Sequence, residues 1–126
     1  VKALLILVVA TVSAAYAQPA TSGLQISPGS VNFGEDAIDS DVVTKTVIVR
    51  NPTSSPIAID EVIASGIDFR VKSDCGQTLA PAAQCTIQVF FSPAISGPRT
   101  GNLEIMASGS PHFVALNGSG TYQKAQ

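Results

Sequence analysis

Apolar and polar residues alternate along most of this 126-residue chain, and the alternation is sharpest within residues 75–93. There Cys85, Ile87, Val89 and Phe91 share one parity, while Thr86, Gln88 and Phe90 share the other. Successive side chains of a strand point to opposite faces, so the first set is expected in a core. Pro93 stops the strand, because proline has no N–H to donate to a ladder. The remaining segments read as strands that need this one as a partner. Residues 24–27 form a short first strand turned by Pro28-Gly29. Val31 and Phe33 then alternate with Asn32 as a short edge segment ending before Gly34. The longest β-type run is 42–50, with Val47 and Val49 on one face and Thr46, Ile48 and Arg50 on the other. Asn51-Pro52 ends it. Ile57 and Ile59 alternate, but the next apolar residue is Val62 and not position 61, so a bulge or bend is expected at Asp60-Glu61. Residues 67–72 bring Phe69 and Val71 inward. A turn-rich ISGPRTG connection then leads to Leu103, Ile105 and Ala107, and the linker SGSP makes a hairpin. Val114, Leu116 and Gly118 return as the last strand. Seven to eight short strands in about a hundred residues, with no sustained helical period, predict an all-β, immunoglobulin-like β-sandwich.

Cys75 and Cys85 are the only cysteines, and the segment between them contains Gly76 and Pro81, a composition able to fold back on itself. A disulfide between them would close a loop worth about 2.5 to 3 kcal/mol in chain-entropy accounting. Two free thiols, or half of a metal site, are the competing readings. With one histidine and no further cysteine, four-coordinate zinc lacks ligands, which favours the disulfide and leaves no metal or cofactor expected. The N-terminus supplies the oxidising compartment that a disulfide needs. Lys2 precedes an apolar run over 3–12, and Ala15-Tyr16-Ala17 places small residues where a signal peptidase reads, with cleavage expected after Ala17. That run is shorter than the roughly twenty apolar residues of a stable membrane span. The expected organisation is therefore a signal peptide over 1–17, a flexible leader over 18–23, one domain over 24–121 and a short tail over 122–126. The product is expected to be secreted or periplasmic and not inserted in the membrane.

Removing Lys2 leaves six basic against nine acidic side chains, and the basic ones do not cluster along the sequence. That pattern argues against nucleic acid or an anionic membrane as partner. Glu35, Asp36, Asp39 and Asp41 concentrate in GEDAIDSD, read as an acidic loop. Calcium is the chemistry to consider there, but the alternating ligands, glycine and distant glutamate of an EF-hand are missing, so a solvated loop is preferred. His112 is the sole histidine and reads as an exposed turn residue beside Pro111. No serine lies in a nucleophile-elbow context, no carboxylate pair stands out, and neither phosphate-cradling glycine fingerprint occurs. The chain does not read as an enzyme.

Several of these stretches together resemble a family. NFG, TVIVRNPTSSPIAI, LAPAAQCTIQVFFSPAISGPRTGNLEI and VALNGSG are similar to the ASH (Hydin-like) immunoglobulin-like domains, above all to the bacterial secreted form called choice-of-anchor D. The C-T-I-x-V-x-F-x-P and L-x-G-x-G elements are the most specific, and the resemblance covers residues 24 to about 121. It implies a seven-stranded sandwich related to the major sperm protein fold, serving as a structural or protein-interaction module, with no catalytic residues to carry over. Such domains often occur in tandem or joined to other modules, whereas one is expected here. A periplasmic chaperone-like or adhesin-type domain acting by strand addition is the alternative.

By parity, Ile48, Phe90, Met106 and Phe113 point away from the core that Val47, Val89, Ile105 and Val114 define. Met106 and Phe113 are expected on adjacent strands of one sheet, and Ile48 and Phe90 on the other. Each pair is a candidate patch for a protein partner, a neighbouring copy or the leader segment, weighed against ordinary scattered surface apolars. The sequence leaves the oligomeric state open.

Overall fold

The computed structural model describes residues 23–122. The expected signal peptide, all but the last residue of the leader and most of the tail lie outside them. No helix occurs among the described residues, which form nine strands in two facing sheets. In chain order these are β1 (Gln25–Ser27), β2 (Ser30–Ala37), β3 (Val43–Arg50), β4 (Ile57–Ser65), β5 (Phe69–Ser73), β6 (Thr78–Leu79), β7 (Gln84–Phe91), β8 (Gly97–Ala107) and β9 (Ser110–Thr121). One sheet has the order β1-β3-β7-β5 and the other β2-β9-β8-β4-β6. All pairings are antiparallel except that of β2 with β9. The immunoglobulin-like β-sandwich is therefore the observed fold, with β6 of two residues and β1 of three bringing the strand count to nine.

The inward residues are those the alternation selects. Val47 and Val49 on β3, Ile87, Val89 and Phe91 on β7, Leu103 and Ile105 on β8, and Val114 and Leu116 on β9 are all fully buried. At their centre Phe33, Phe69 and Phe91 meet with ring centroids 5.1 to 5.8 Å apart, joining β2 of one sheet to β5 and β7 of the other. The last strand accommodates this cluster through a glycine. A Cβ at Gly118 would lie 2.6 Å from the Phe91 ring, so the first glycine of the L-x-G-x-G element is a packing requirement. The slip at Asp60-Glu61 is a β-bulge, since the register of β4 on β8 shifts between Ile59 and Glu61. The SGSP hairpin closes with a two-residue turn whose central residues, Ser108 and Gly109, both have positive φ.

Two expectations are corrected. The acidic segment beginning at Gly34 is not wholly a loop, because β2 continues to Ala37. Gly34, at φ 71°, sits inside a register shift between Asn32 and Glu35, after which pairing with β9 resumes. The irregularity interrupts the period and conceals the strand. Likewise, the segment read as a turn-rich connection is strand from Gly97 onward. Pro98 and Gly101 disfavour strand in isolation, but the ladder with β9 runs through both.

Candidate functional site

The two sheets turn chemically different outer faces to solvent. On the four-stranded sheet, burial of Val47, Val49, Phe69, Ile87 and Val89 directs Ile48, Arg50, Arg70, Lys72, Gln88 and Phe90 outward. Arg70 is the cross-strand partner of Phe90, and Lys72 that of Gln88. Arg50, Arg70 and Lys72 make this face basic. Phe90 is half-buried in a groove of about 760 Å³ whose apolar wall includes Val42, Ile67, Val71 and Pro93, with Arg70 on one side and Asp39 on another. Val42 and Ile67 are 51% and 78% exposed, so the groove has apolar lips open to water.

On the five-stranded sheet, Leu103, Ile105 and Val114 point inward, which sends Glu104, Met106 and Phe113 out, together with Glu61 and Ile63 from β4. Glu104 stands in register between Ile63 and Phe113, and Met106 between Glu61 and Pro111. Phe113 is 60% exposed and Met106 half-buried beside it on the adjacent strand. Among the described residues, no lysine or arginine projects from the strands of this face.

The structure thus brings Met106 and Phe113 together and keeps Ile48 apart from Phe90. Phe90 is opposite Thr44 whereas Ile48 is opposite Thr86, a displacement of four residues, or about 13 Å along the strands. Ile48 is half-buried between Ser27 and Thr86 and does not extend the groove. Sequence reasoning missed Arg70, Glu104, Val42 and Ile67 as members of the two surfaces. The alternation F-R-V-K on β5 marks Arg70 and Lys72 as outward, but only the register places Arg70 beside Phe90.

Other polar side chains hold the ends of the sandwich. Cys75 and Cys85, both buried, form a disulfide that closes the loop carrying β6 onto the start of β7. Just outside it, Asp74 accepts hydrogen bonds from the Thr86 backbone N–H at 2.8 Å and the Thr86 hydroxyl at 3.0 Å. These bonds, the backbone one first, hold its carboxyl below the usual aspartate value. Asp74, Cys75 and Cys85 converge closely enough to be considered as metal ligands. The two sulfurs are bonded to each other, however, and offer no thiolate. The four acids of residues 35–41 are distributed over β2 and the turn after it, where Asp36 accepts from the Ser40 hydroxyl at 2.9 Å.

Asn51, fully buried, is more than a strand terminator. Its amide donates to the carbonyls of Ser55, Leu79 and Ala80 at 2.8, 2.9 and 3.2 Å, while its Oδ1 accepts from the Thr53 N–H at 2.9 Å. It thereby ties the NPTSS turn to the disulfide loop. At the opposite end Asp68, 3% exposed, accepts from Arg99 Nε and the Ala94 N–H, each at 2.8 Å. His112 lies within β9, half-buried opposite Ile105, and not in the turn where the sequence placed it.

With this geometry in place, the chain can be set against known proteins. The profile of the family described as "Abnormal spindle-like microcephaly-assoc'd, ASPM-SPD-2-Hydin", or ASH, matches residues 23–112. The chain belongs to the ASH family. The ASH / PapD-like domain of human CEP192 (PapD-like domain 7) is similar over 96% of this chain and 99% of that one, at 12% identity and TM-score 0.57. A protein of unknown function from Porphyromonas gingivalis W83 is similar over 77% of this ASH chain, at 10% identity and TM-score 0.67. The secreted serine protease VesC from Vibrio cholerae is similar over 78%, at 17% identity and TM-score 0.60. This chain covers 46% and 23% of the last two, less than half of either. At these identities the likeness is one of fold, and the protease name carries no catalytic residue across. A comparison with curated protein sequences finds no match.

Proposed function

We propose that this ASH domain is a non-catalytic protein-interaction module of the bacterial secreted, choice-of-anchor D kind, working through the outer faces of its sheets. The observation that carries the reading is the exposed Phe113 beside Met106 on one face, with the exposed Ile63 across Glu104 from it, matched by the open apolar groove at Phe90 on the other. Contiguous exposed apolar surface rimmed by polar groups is what a protein partner covers. A secreted or periplasmic location is supported by the Cys75–Cys85 disulfide, which persists in oxidising compartments. A fold neighbour whose name includes "secreted" agrees with it. The non-catalytic part is supported by how the polar groups are used. Asn51, Asp68 and Asp74 are occupied with loop carbonyls, Arg99 and Thr86, and His112 makes no side-chain hydrogen bond among the described residues.

Strand addition, as a chaperone-like or adhesin-type domain would use it, is less well served. The terminal strands are β1 of three residues and β6 of two, which leave 43–47 of β3 (with Lys45) and 61–65 of β4 (with Glu61) uncovered, β5 with outward Arg70 and Lys72, and β2 with its bulge and Glu35. Short, charged or bulged edges discourage pairing with another strand. A pull-down from the native envelope with the purified chain as bait tests the face reading. The parent should retain a defined set of proteins that Phe113→Ser or Phe90→Ser reduces. Retention of every contact by both variants, or of nothing by the parent, would remove it.

A further inference from the structure

The charged side chains that project from the strands of the two outer faces differ in sign. Of the five Lys and Arg among the described residues, Arg99 is paired with Asp68, Arg50, Arg70 and Lys72 project from the four-stranded face, and Lys45, exposed on β3, has the parity of Val47 and Val49 and stands outside both faces. Glu61 and Glu104 project from the five-stranded face. Among the described residues none of the five charges on the two faces, four exposed and Glu104 half-buried, is ion-paired. The sorting extends to the apolar groups beside them. Glu104 is the cross-strand partner of the protruding Phe113, and Arg70 is the cross-strand partner of Phe90 in the groove. One face therefore carries an aromatic knob next to a carboxylate, and the other an apolar hollow with the Arg70 guanidinium on the strand that borders Phe90, Asp39 on its loop rim and Asp68 neutralised by Arg99.

We infer that the partner of each face is the opposite face of a second copy of this chain, with Phe113 entering the Phe90 groove and Glu104 meeting Arg70, while Glu61 lies toward Lys72. The two surfaces lie on opposite sides of the sandwich, so they cannot meet within one molecule. Because they differ, the contact is head-to-tail. It leaves a free face at each end and repeats beyond the dimer, unlike a two-fold contact, which is satisfied once formed. Complementary charge brings the rows together and fixes their register, while the knob and hollow supply the apolar burial. At ~0.1 M salt the screening length is about 10 Å, so the facing rows still attract while the negative charge of more distant parts is largely screened.

This inference rests on the interaction-module reading and adds the identity of one partner. Sedimentation velocity on the purified chain, across a concentration series at ~0.1 and ~1 M salt, is the test. Mass should rise with concentration past the dimer and fall back in high salt. Glu61→Lys with Glu104→Lys, and separately Arg70→Glu with Lys72→Glu, should each weaken association by about tenfold or more. An equimolar mixture of the two variants should recover it, since each then offers the charge the other lacks. Phe113→Ser, which leaves every charge in place, should also weaken it and serves if a reversed variant fails to keep the parent's melting temperature. A parent that is monomeric throughout, assembly that ignores the reversals, or a mixture that fails to recover would overturn the self-contact. A monomeric parent that still retains other proteins in the pull-down would leave the broader reading standing.

Discussion

Where β7 begins, Cys85 is bonded to Cys75 and the neutral Asn51 amide gathers three loop carbonyls. Where β7 finishes, about 23 Å away, the buried Asp68 carboxylate holds Arg99 and the Ala94 N–H. The ladders stop at both places, and the backbone groups of the connecting loops need partners that strands no longer supply. One end meets that need with a covalent link, neutral hydrogen bonds and the exposed Asp74 carboxylate, the other with a single buried charge. The ends should therefore fail under different treatments, a reductant for the first and loss of one carboxylate for the second.

The largest effect is expected at the ionic end. Asp68→Ala removes the partner of the partly buried Arg99 and of the Ala94 N–H, and should cost about 3 kcal/mol in urea unfolding. Reducing the disulfide, or replacing both cysteines by serine, should cost about 2.5 to 3 kcal/mol through the freed unfolded chain. Combining the two changes should give the sum of the separate losses to within about 0.5 kcal/mol, because the sites share no partner. A markedly smaller or larger combined loss would show that the ends are coupled. Asn51→Ala leaves the Leu79 and Ala80 carbonyls without their donor and should cost about 2 kcal/mol. It should soften the disulfide end, seen as faster amide exchange in residues 77–83, while leaving the loop at 92–96 unchanged.

The smallest effect belongs to Asp74. Its folded carboxyl is depressed below the ordinary value of 3.8, so the unfolded state takes up a proton first as pH falls. The stability it contributes is complete above that value and is lost as pH falls through the folded one. In Asp74→Asn the acid-induced loss of stability below about pH 4 should be shallower than in the parent. Identical acid-unfolding curves for parent and variant would refute the role given to the Thr86 hydrogen bonds.

How much of this was legible in the sequence follows the same division between the ends. The disulfide end could be read because two cysteines on a short, turn-rich loop have few other uses. The buried strands could be read because period-2 alternation is a local property, and the bulge near Asp60 because it breaks that period visibly. Asp68 and Arg99 could not be read, since their pairing joins residues 31 apart and neither lies in a distinctive local pattern. Asn51 looked like punctuation before Pro52, because its partners Leu79 and Ala80 come from a distant loop. Of the candidate surface, parity alone placed Met106, Phe113, Ile48 and Phe90 outward. Which of them are neighbours depends on strand register. The register brings Met106 to Phe113, separates Ile48 from Phe90, and sets Arg70 and Glu104 each beside an aromatic ring.

The central claim is that copies of the chain meet by sheet faces and not by sheet edges, and amide chemical shifts locate that contact directly. In spectra of the labelled chain recorded across a dilution series, the account predicts concentration-dependent shifts at Arg70, Phe90, Glu104 and Phe113 and their neighbours. Shifts confined to the free edges along β1 and β2, or no shift at any concentration, would contradict it.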